Sequence, residues 1–223
     1  MIHVITSINR PTPEMIKEFS TLASATIHEA SGRKGYIDCA IKPINKGIKV
    51  CGPAFTVQCA PGDNCMLHKA LERALPGDIL VANVGGAYDY GYFGDLMATS
   101  AVARGLGGLC IDGCIRDSEE IIAGGFPVFA RGFCVRGTGK GTIGVINYPT
   151  VFGSQTIFPG DLIIGDDDGL VVVRLTDCES VLEKAKARVS KETEKEAVLK
   201  SGISSVEFNK LGPIFSAAGL IEE

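Results

Sequence analysis

Three absences bound this chain before any motif is read. It has no block of basic residues: 22 Lys and Arg stand against 26 Asp and Glu, a formal net charge of −4. Neutralising phosphates takes a basic patch, so a nucleic-acid partner is not expected. No apolar run approaches the ~18 residues of a membrane span, so a membrane partner is not expected either. The opening Met1-Ile2-His3-Val4-Ile5-Thr6 has no positively charged region and no long apolar stretch, which leads us to expect a cytoplasmic protein. A CxxC pair is also missing. The eight cysteines stand at 39, 51, 59, 65, 110, 114, 134 and 178, most of them in or beside apolar strand-like runs. A free thiol acts there as a small hydrophobe, so no cysteine is a site candidate.

What is present is an ordinary globular composition. With 223 residues, 45% of them apolar and 22% charged, the chain can bury one sizeable core, and a single domain over residues 1–223 is expected. Residues 12–31 carry Met15, Ile16, Phe19, Leu22 and Ala23 at helical spacing, which predicts one helix closed by Ser31-Gly32. Apolar runs at 48–59 and 79–84 predict strands, with a helix at 64–74 between them. A helix at 95–104, a strand at 108–112, a helix at 118–123 and a strand near 127–131 follow. Alternation of this kind predicts an α/β fold with a mixed or parallel sheet covered by helices. Residues 141–173 read as all-β, ending in Leu170-Val171-Val172-Val173.

The segment 176–200 is the most charged helix, with Val181, Ala185 and Val189 on one face. At ~100° per residue, Glu192 lies about 20° from Val181 and extends that stripe, whereas Glu194 points roughly 220° away. A carboxylate that continues an apolar face is either an edge residue or is placed against something.

Chemistry concentrates between Gly94 and Asp117. Asp95 opens a helix, and Arg116-Asp117 follows the next strand, so that helix and strand can return them to one sheet edge. Backbone N–H groups of Leu96 and Met97 at the helix start would bind a carboxylate. Arg116 would present a planar fork to a carboxylate or an enolate oxygen. Asp117 would ligate an oxygen-loving divalent ion such as Mg²⁺ or Mn²⁺, with Asp95 orienting its water. By spacing alone the same residues also fit a helix-capping Asp and a surface Arg–Asp ion pair. Gly137-Thr138-Gly139-Lys140-Gly141-Thr142 lacks phosphate-loop spacing and reads as a turn. His28 and His68, on helices without partners at ligand spacing, read as ordinary helical histidines.

Asp95-x20-Arg116-Asp117, with Gly91-Tyr92-Phe93-Gly94 before it and Leu96-Met97-Ala98-Thr99-Ser100 after Asp95, resembles the class II pyruvate aldolases. These act on 4-hydroxy-4-methyl-2-oxoglutarate and 4-carboxy-4-hydroxy-2-oxoadipate, and are related to the ribonuclease E activity regulator A family. Thr26-Ile27-His28-Glu29-Ala30, Pro61-Gly62-Asp63-Asn64, Gly125-Phe126-Pro127-Val128 and Asp166-Asp167-Asp168-Gly169 extend the resemblance to about residue 200. It implies a swivelling β/β/α-type mixed sheet, a homotrimer or a hexamer of two trimers, and a site between subunits. Gly94, Asp95, Leu96, Met97 and Arg116 would hold the 2-oxo acid, and Asp117 the Mg²⁺ or Mn²⁺. Glu29 and Glu192 would arrive from a neighbouring subunit, and residues 176–223 would form a helical extension at the interface. The implied reaction is aldol cleavage to pyruvate plus pyruvate or oxaloacetate, with oxaloacetate decarboxylation on the side. The competing expectation is a non-catalytic regulator that binds and inhibits ribonuclease E. A phosphohistidine carrier would need an exposed loop histidine, for which the three histidines offer no candidate.

Overall fold

A computed structural model of the chain describes residues 3–222. The first helical segment is a correction to the single helix expected over 12–31: it forms α1 (Pro13–Phe19) and α2 (Ser24–Ala30). Thr12 caps α1 by accepting the Met15 N–H, and Pro13 stands where a helix needs no donor. The chain then breaks because the Ser20 and Thr21 hydroxyls turn back onto the carbonyls of Lys17 and Glu18. Ser24 is drawn instead to Asp166, whose carboxylate accepts its N–H at 2.8 Å and its hydroxyl at 2.7 Å. That partner lies 142 residues away and leaves no trace in the local pattern.

The expected alternation follows. β1 (Lys42–Pro43) and β2 (Val50–Gln58) lead to α3 (Cys65–Arg73), β3 (Ile79–Asn83), α4 (Asp95–Ala103) and β4 (Gly108–Asp112). Next come β5 (Cys114–Ile115), α5 (Ser118–Ala123), β6 (Val128–Ala130) and β7 (Gly132–Phe133). The β-rich section supplies β8 (Val145–Ile146), β9 (Thr150–Phe152), β10 (Gln155–Ile157), β11 (Leu162–Asp166) and β12 (Gly169–Val173). The chain then runs into α6 (Cys178–Lys200), α7 (Ser205–Phe208) and α8 (Gly212–Ala217).

One mixed sheet runs in the order β1-β6-β4-β3-β2-β11-β12, with β8 also on β2. β2, β3, β4 and β6 are parallel, while β1, β8, β11 and β12 join antiparallel. The sheet nearly closes on itself: Lys42 of β1 donates to the Asp168 carbonyl in the β11–β12 turn at 2.5 Å.

Burial on both faces explains why the central strands are continuously apolar. Phe55, Val57, Leu80, Ala82, Leu109 and Ile111 face a core completed by α3, α4 and α5. Ala54, Ile79, Val81 and Cys110 face the inside of the curved sheet, against Phe129, Ile163 and Val172. A third cluster packs α1, α2 and the first turns of α6 on β11 and β12 through Phe19, Ile27, Val181 and Leu182. Parallel strands held this way bring the loops after β3 and β4 to one edge, where ligands of open α/β sheets commonly bind.

Candidate active site

Gly94, not Asp95, is the N-cap of α4; Asp95 is its first residue. The Asp95 N–H, an orphan donor by position, goes to Asp117 Oδ2 at 3.2 Å. Asp117 is unusual. It precedes α5 without capping it and sits at φ 54°, ψ 43°, a left-handed conformation that a non-glycine residue adopts at a cost. The strained backbone aims its carboxylate back at α4. Arg116 Nε lies 3.5 Å from the same oxygen, and both side chains are about half exposed.

Two glycines make this approach possible. A Cβ at Gly94 would stand 2.4 Å from Asp117 Oδ2 and 3.2 Å from Arg116 Nε. A Cβ at Gly91 would meet the Arg116 Cβ at 2.8 Å and the Cys134 carbonyl oxygen at 2.4 Å. The spacing from Asp95 to Arg116-Asp117 therefore closes in space as the sequence predicted.

One donor expectation needs correction. The Met97 N–H is taken by the Gly94 carbonyl at 3.1 Å, which also accepts the Ala98 N–H. That leaves the Leu96 N–H as the first-turn donor available to a ligand, because this tightened turn satisfies Met97 internally. The Leu96 side chain is 84% exposed at the rim.

These residues open onto a cavity of about 270 Å³ lined by Gly94, Leu96, Met97, Arg116 and Asp117 on one side. The Asp95 carboxylate does not line it. The other side is formed by Asn64 and by four residues that the sequence reading set aside: His68, Gly137, Thr138 and Lys140. The 137–142 segment, read as a mere turn, is a wall of the site.

Asp63 fixes that wall. Its Oδ2 accepts the Gly141 and Thr142 N–H groups at 2.6 and 3.0 Å, and its Oδ1 the Cys65 N–H at 2.8 Å. Burial alone would push the Asp63 carboxyl up, but these three donors outweigh it and hold its pKa below the usual value. Burial, and secondarily the charge of Lys140, lower the pKa of His68. His68 therefore presents a neutral ring to the cavity at neutral pH. The signal for this wall was present in Pro61-Gly62-Asp63-Asn64 and in the glycine-rich run, but only the fold shows that they meet.

Glu29 and Glu192 lie elsewhere on the same chain, beside one another. Glu29 Oε1 is 3.2 Å from Arg33 Nε, and its Oε2 is 3.7 Å from Arg188. Arg188 Nε is 2.7 Å from Glu192 Oε1, close enough for an ion pair although the N–H is not aimed for a hydrogen bond. Glu192 is half-buried while Glu194 and Glu196 are exposed, in keeping with the helical phase. Neither Glu29 nor Glu192 lines the 270 Å³ cavity of its own chain.

A larger hollow of about 560 Å³ lies between α6, β12 and the β9–β10 hairpin. It shares no lining residue with the cavity at the Arg116-Asp117 pair and none with the loops after β3 and β4, so the smaller cavity is the better candidate.

Among the described residues no cluster of three His, Cys, Asp or Glu could enclose a metal. Zinc-type cages are thereby disfavoured, yet the donor set suits a hard, hydrated cation. Mg²⁺ commonly binds through one or two carboxylates and keeps several waters. Asp117, half exposed and folded into a cradle that a Cβ at Gly94 would fill, fits that role.

A family model described as "RraA-like: Aldolase/RraA" matches residues 21–172. The chain belongs to the RraA-like family. A relative from Halalkalibacterium halodurans, named "Putative 4-hydroxy-4-methyl-2-oxoglutarate aldolase", is 36% identical over 193 residues. That alignment covers 86% of this chain and 92% of the relative. Among solved structures, Streptomyces coelicolor RraAS2 is described as an unusual member of the RNase ES inhibitor RraA protein family. It matches with a TM-score of 0.77 at 28% identity, over 85% of this chain and 99% of its own. An uncharacterized Pseudomonas syringae protein matches at 0.82 and 27% identity, over 92% of this chain and 96% of its own. The RraA-like match holds the whole 94–117 segment and Glu29, but ends before α6, so Glu192 lies outside it.

Proposed function

We propose that this protein is a divalent-metal-dependent aldolase. It cleaves 4-hydroxy-4-methyl-2-oxoglutarate, 4-carboxy-4-hydroxy-2-oxoadipate or both, giving pyruvate plus pyruvate or oxaloacetate. The observation that carries the reading is the left-handed Asp117, whose carboxylate is folded against Gly94 and the Asp95 N–H beside Arg116. A surface ion pair needs neither backbone strain nor a glycine cradle. The name of the Halalkalibacterium relative points the same way.

A divalent ion held by Asp117 would supply Lewis-acid stabilisation of the charge that develops on the substrate's keto oxygen. The Arg116 guanidinium and the Leu96 N–H bind the pyruvoyl carboxylate and the oxygen that becomes the enolate. Water held by Asp95, with Glu29 and Glu192 of the partner subunit, accepts the proton of the C4 hydroxyl. The C3–C4 bond then breaks, its electrons pass to the C2 oxygen, and the second keto acid departs. Protonation at C3 gives pyruvate. Loss of CO₂ from oxaloacetate reaches the same enolate, which makes that decarboxylation a side activity of the site.

In this reading the shared site makes the protein a homo-oligomer, trimer or hexamer, acting in the cytoplasm. Pyruvate release from either aldol substrate should require Mg²⁺ or Mn²⁺ and disappear with EDTA and in Asp117→Ala. Undiminished turnover in either condition overturns the reading.

A second reading, inhibition of a ribonuclease E, is favoured by the description of the Streptomyces structure. It makes no use of Asp117. Inhibition of a purified ribonuclease E by wild type and Asp117→Ala alike, without aldol cleavage, would establish it.

A further inference from the structure

The hollow of about 560 Å³ between α6, β12 and the β9–β10 hairpin has no part in the proposed reaction, yet its lips are held in a costly geometry. Arg33, in the turn that forms one lip, and Ser154, on the other, are both left-handed, at φ 62° and 68°. The Ser31 hydroxyl donates to the Lys34 carbonyl at 2.9 Å, and the Val172 N–H to the Gly35 carbonyl at 2.8 Å. A Cβ at Gly35 would collide with the Val172 carbonyl oxygen, so the turn lies flat on β12 and carries Lys34 with it.

Two more cations line the hollow from other elements, Arg174 just past β12 and Lys184 on α6. Arg174 is fixed in direction. Its guanidinium lies 3.7 Å over the Phe158 ring, and Nη1 donates to Asp161 Oδ2 at 3.0 Å. Its Nε and Nη2 have no partner among the described residues, and the side chain is partly exposed.

The charges do not balance. Lys34 and Lys184 form no ion pair among the described residues, and Asp177 is the only carboxylate in the lining. Counting Asp161, which holds Arg174 from behind, three cations meet two carboxylates. The flanking helices do not restore the balance. Glu29 and Glu192 are paired with Arg33 and Arg188, and Glu179 and Glu183 do not line the hollow. The surplus charge stands over a floor of Val172, Val173 and Val181, where low polarity weakens its screening.

We propose that this hollow binds a phosphate monoester of a small hydroxylated molecule. A planar carboxylate is met from one edge by a single fork, whereas a phosphoryl group offers three acceptor oxygens to three sides. Cations on three separate elements suit the second. The side chains of Gln155 and Thr156, with no internal hydrogen bond among the described residues, are left for the hydroxylated body. The hollow shares no lining residue with the Arg116-Asp117 cavity, and the proposal does not rest on the aldolase reading.

The test is isothermal titration calorimetry of the full chain with ribose 5-phosphate, inorganic phosphate and ribose. Ribose 5-phosphate should bind about tenfold more tightly than inorganic phosphate, because only the ester adds hydrogen bonds to Gln155 and Thr156, and ribose should not bind. Lys34→Met and Lys184→Met should each raise Kd for the ester on the order of 10-fold, the size of one hydrogen bond to a charged group. Both lysines are exposed, so the variants should keep the wild-type Tm. Lys184→Arg should keep most of the affinity. Arg174 is left in place because its removal strands the buried Asp161 carboxylate. Arg116→Ala reports on the other cavity and should leave the affinity unchanged.

No binding of ribose 5-phosphate by wild type overturns the proposal. Equal affinity for the ester and inorganic phosphate overturns the choice of an ester. Affinity unchanged in both Lys→Met variants, or lost in Arg116→Ala, puts the ligand elsewhere and overturns the site. Equal loss in Lys184→Met and Lys184→Arg does the same, since the second variant keeps the charge.

Discussion

At the scale of single residues, the site depends on atoms that are missing as much as on those present. Gly94 is fixed by contact, since a methyl group there would occupy the place of Asp117 Oδ2. Gly94→Ala should lower kcat about 10²-fold, the usual consequence of displacing a catalytic group by an ångström, with far-UV circular dichroism unchanged. Unaltered kcat would mean that the cradle is incidental. Asp117→Asn makes the complementary change. Asn tolerates the left-handed backbone as well as Asp does, so thermal stability should hold while Mg²⁺-dependent turnover is lost. A large drop in Tm would instead assign Asp117 a structural role.

At the scale of elements, the joints between segments decide both stability and site geometry. Arg10 reaches the turn before β3 and donates from Nε and Nη2 to the two oxygens of Asp78, each at 2.8 Å. The Asp78 side chain is fully buried. Arg10→Ala strands that carboxylate and should cost about 3 kcal/mol in urea unfolding, as for other buried pairs deprived of one member.

The Asp63 clamp should show a pH signature. Its folded pKa lies below the unfolded value, so its contribution is complete above the ordinary carboxylate range and is lost as pH falls through the lowered value. Hydrogen exchange at Gly141 and Thr142 should therefore accelerate on acidification before the central strands lose protection. Simultaneous loss everywhere would argue against a local clamp.

These joints mark where the sequence was legible and where it was not. Apolar runs announced β2, β3, β4 and β12 because strands buried on both faces need them. The Asp95–Arg116–Asp117 spacing announced the edge of the candidate site because one helix and one strand connect its ends. The break between α1 and α2 stayed hidden, since helical periodicity runs across Ser20 and Thr21 and the partner that holds Ser24, Asp166, lies 142 residues away. His68 and Lys140 stayed hidden because their significance comes from a loop docking onto α3, which no local pattern encodes.

At the scale of the whole molecule, one chain holds an incomplete set of catalytic groups in the proposed mechanism. Glu29 and Glu192 sit together on α2 and α6, tied through Arg188 and away from the cavity. Mixing Glu29→Ala with Arg116→Ala subunits should regenerate a fraction of sites that hold both residues, and turnover should rise above that of either variant alone. Failure of every mixture to recover turnover would place the full set within one subunit.

The Asp63 clamp also bears on how the molecule reaches its native state. It joins residues 78 positions apart, and contacts of such separation form slowly because a long loop must close first. A growing chain that ended before residue 137 would contain Asp95, Arg116 and Asp117, yet only half a binding site. The strands could collapse around their apolar faces long before substrate found a place to sit. Completion of the cavity is thus a late folding event, and in the proposed mechanism the first appearance of substrate binding would time the docking of the final wall.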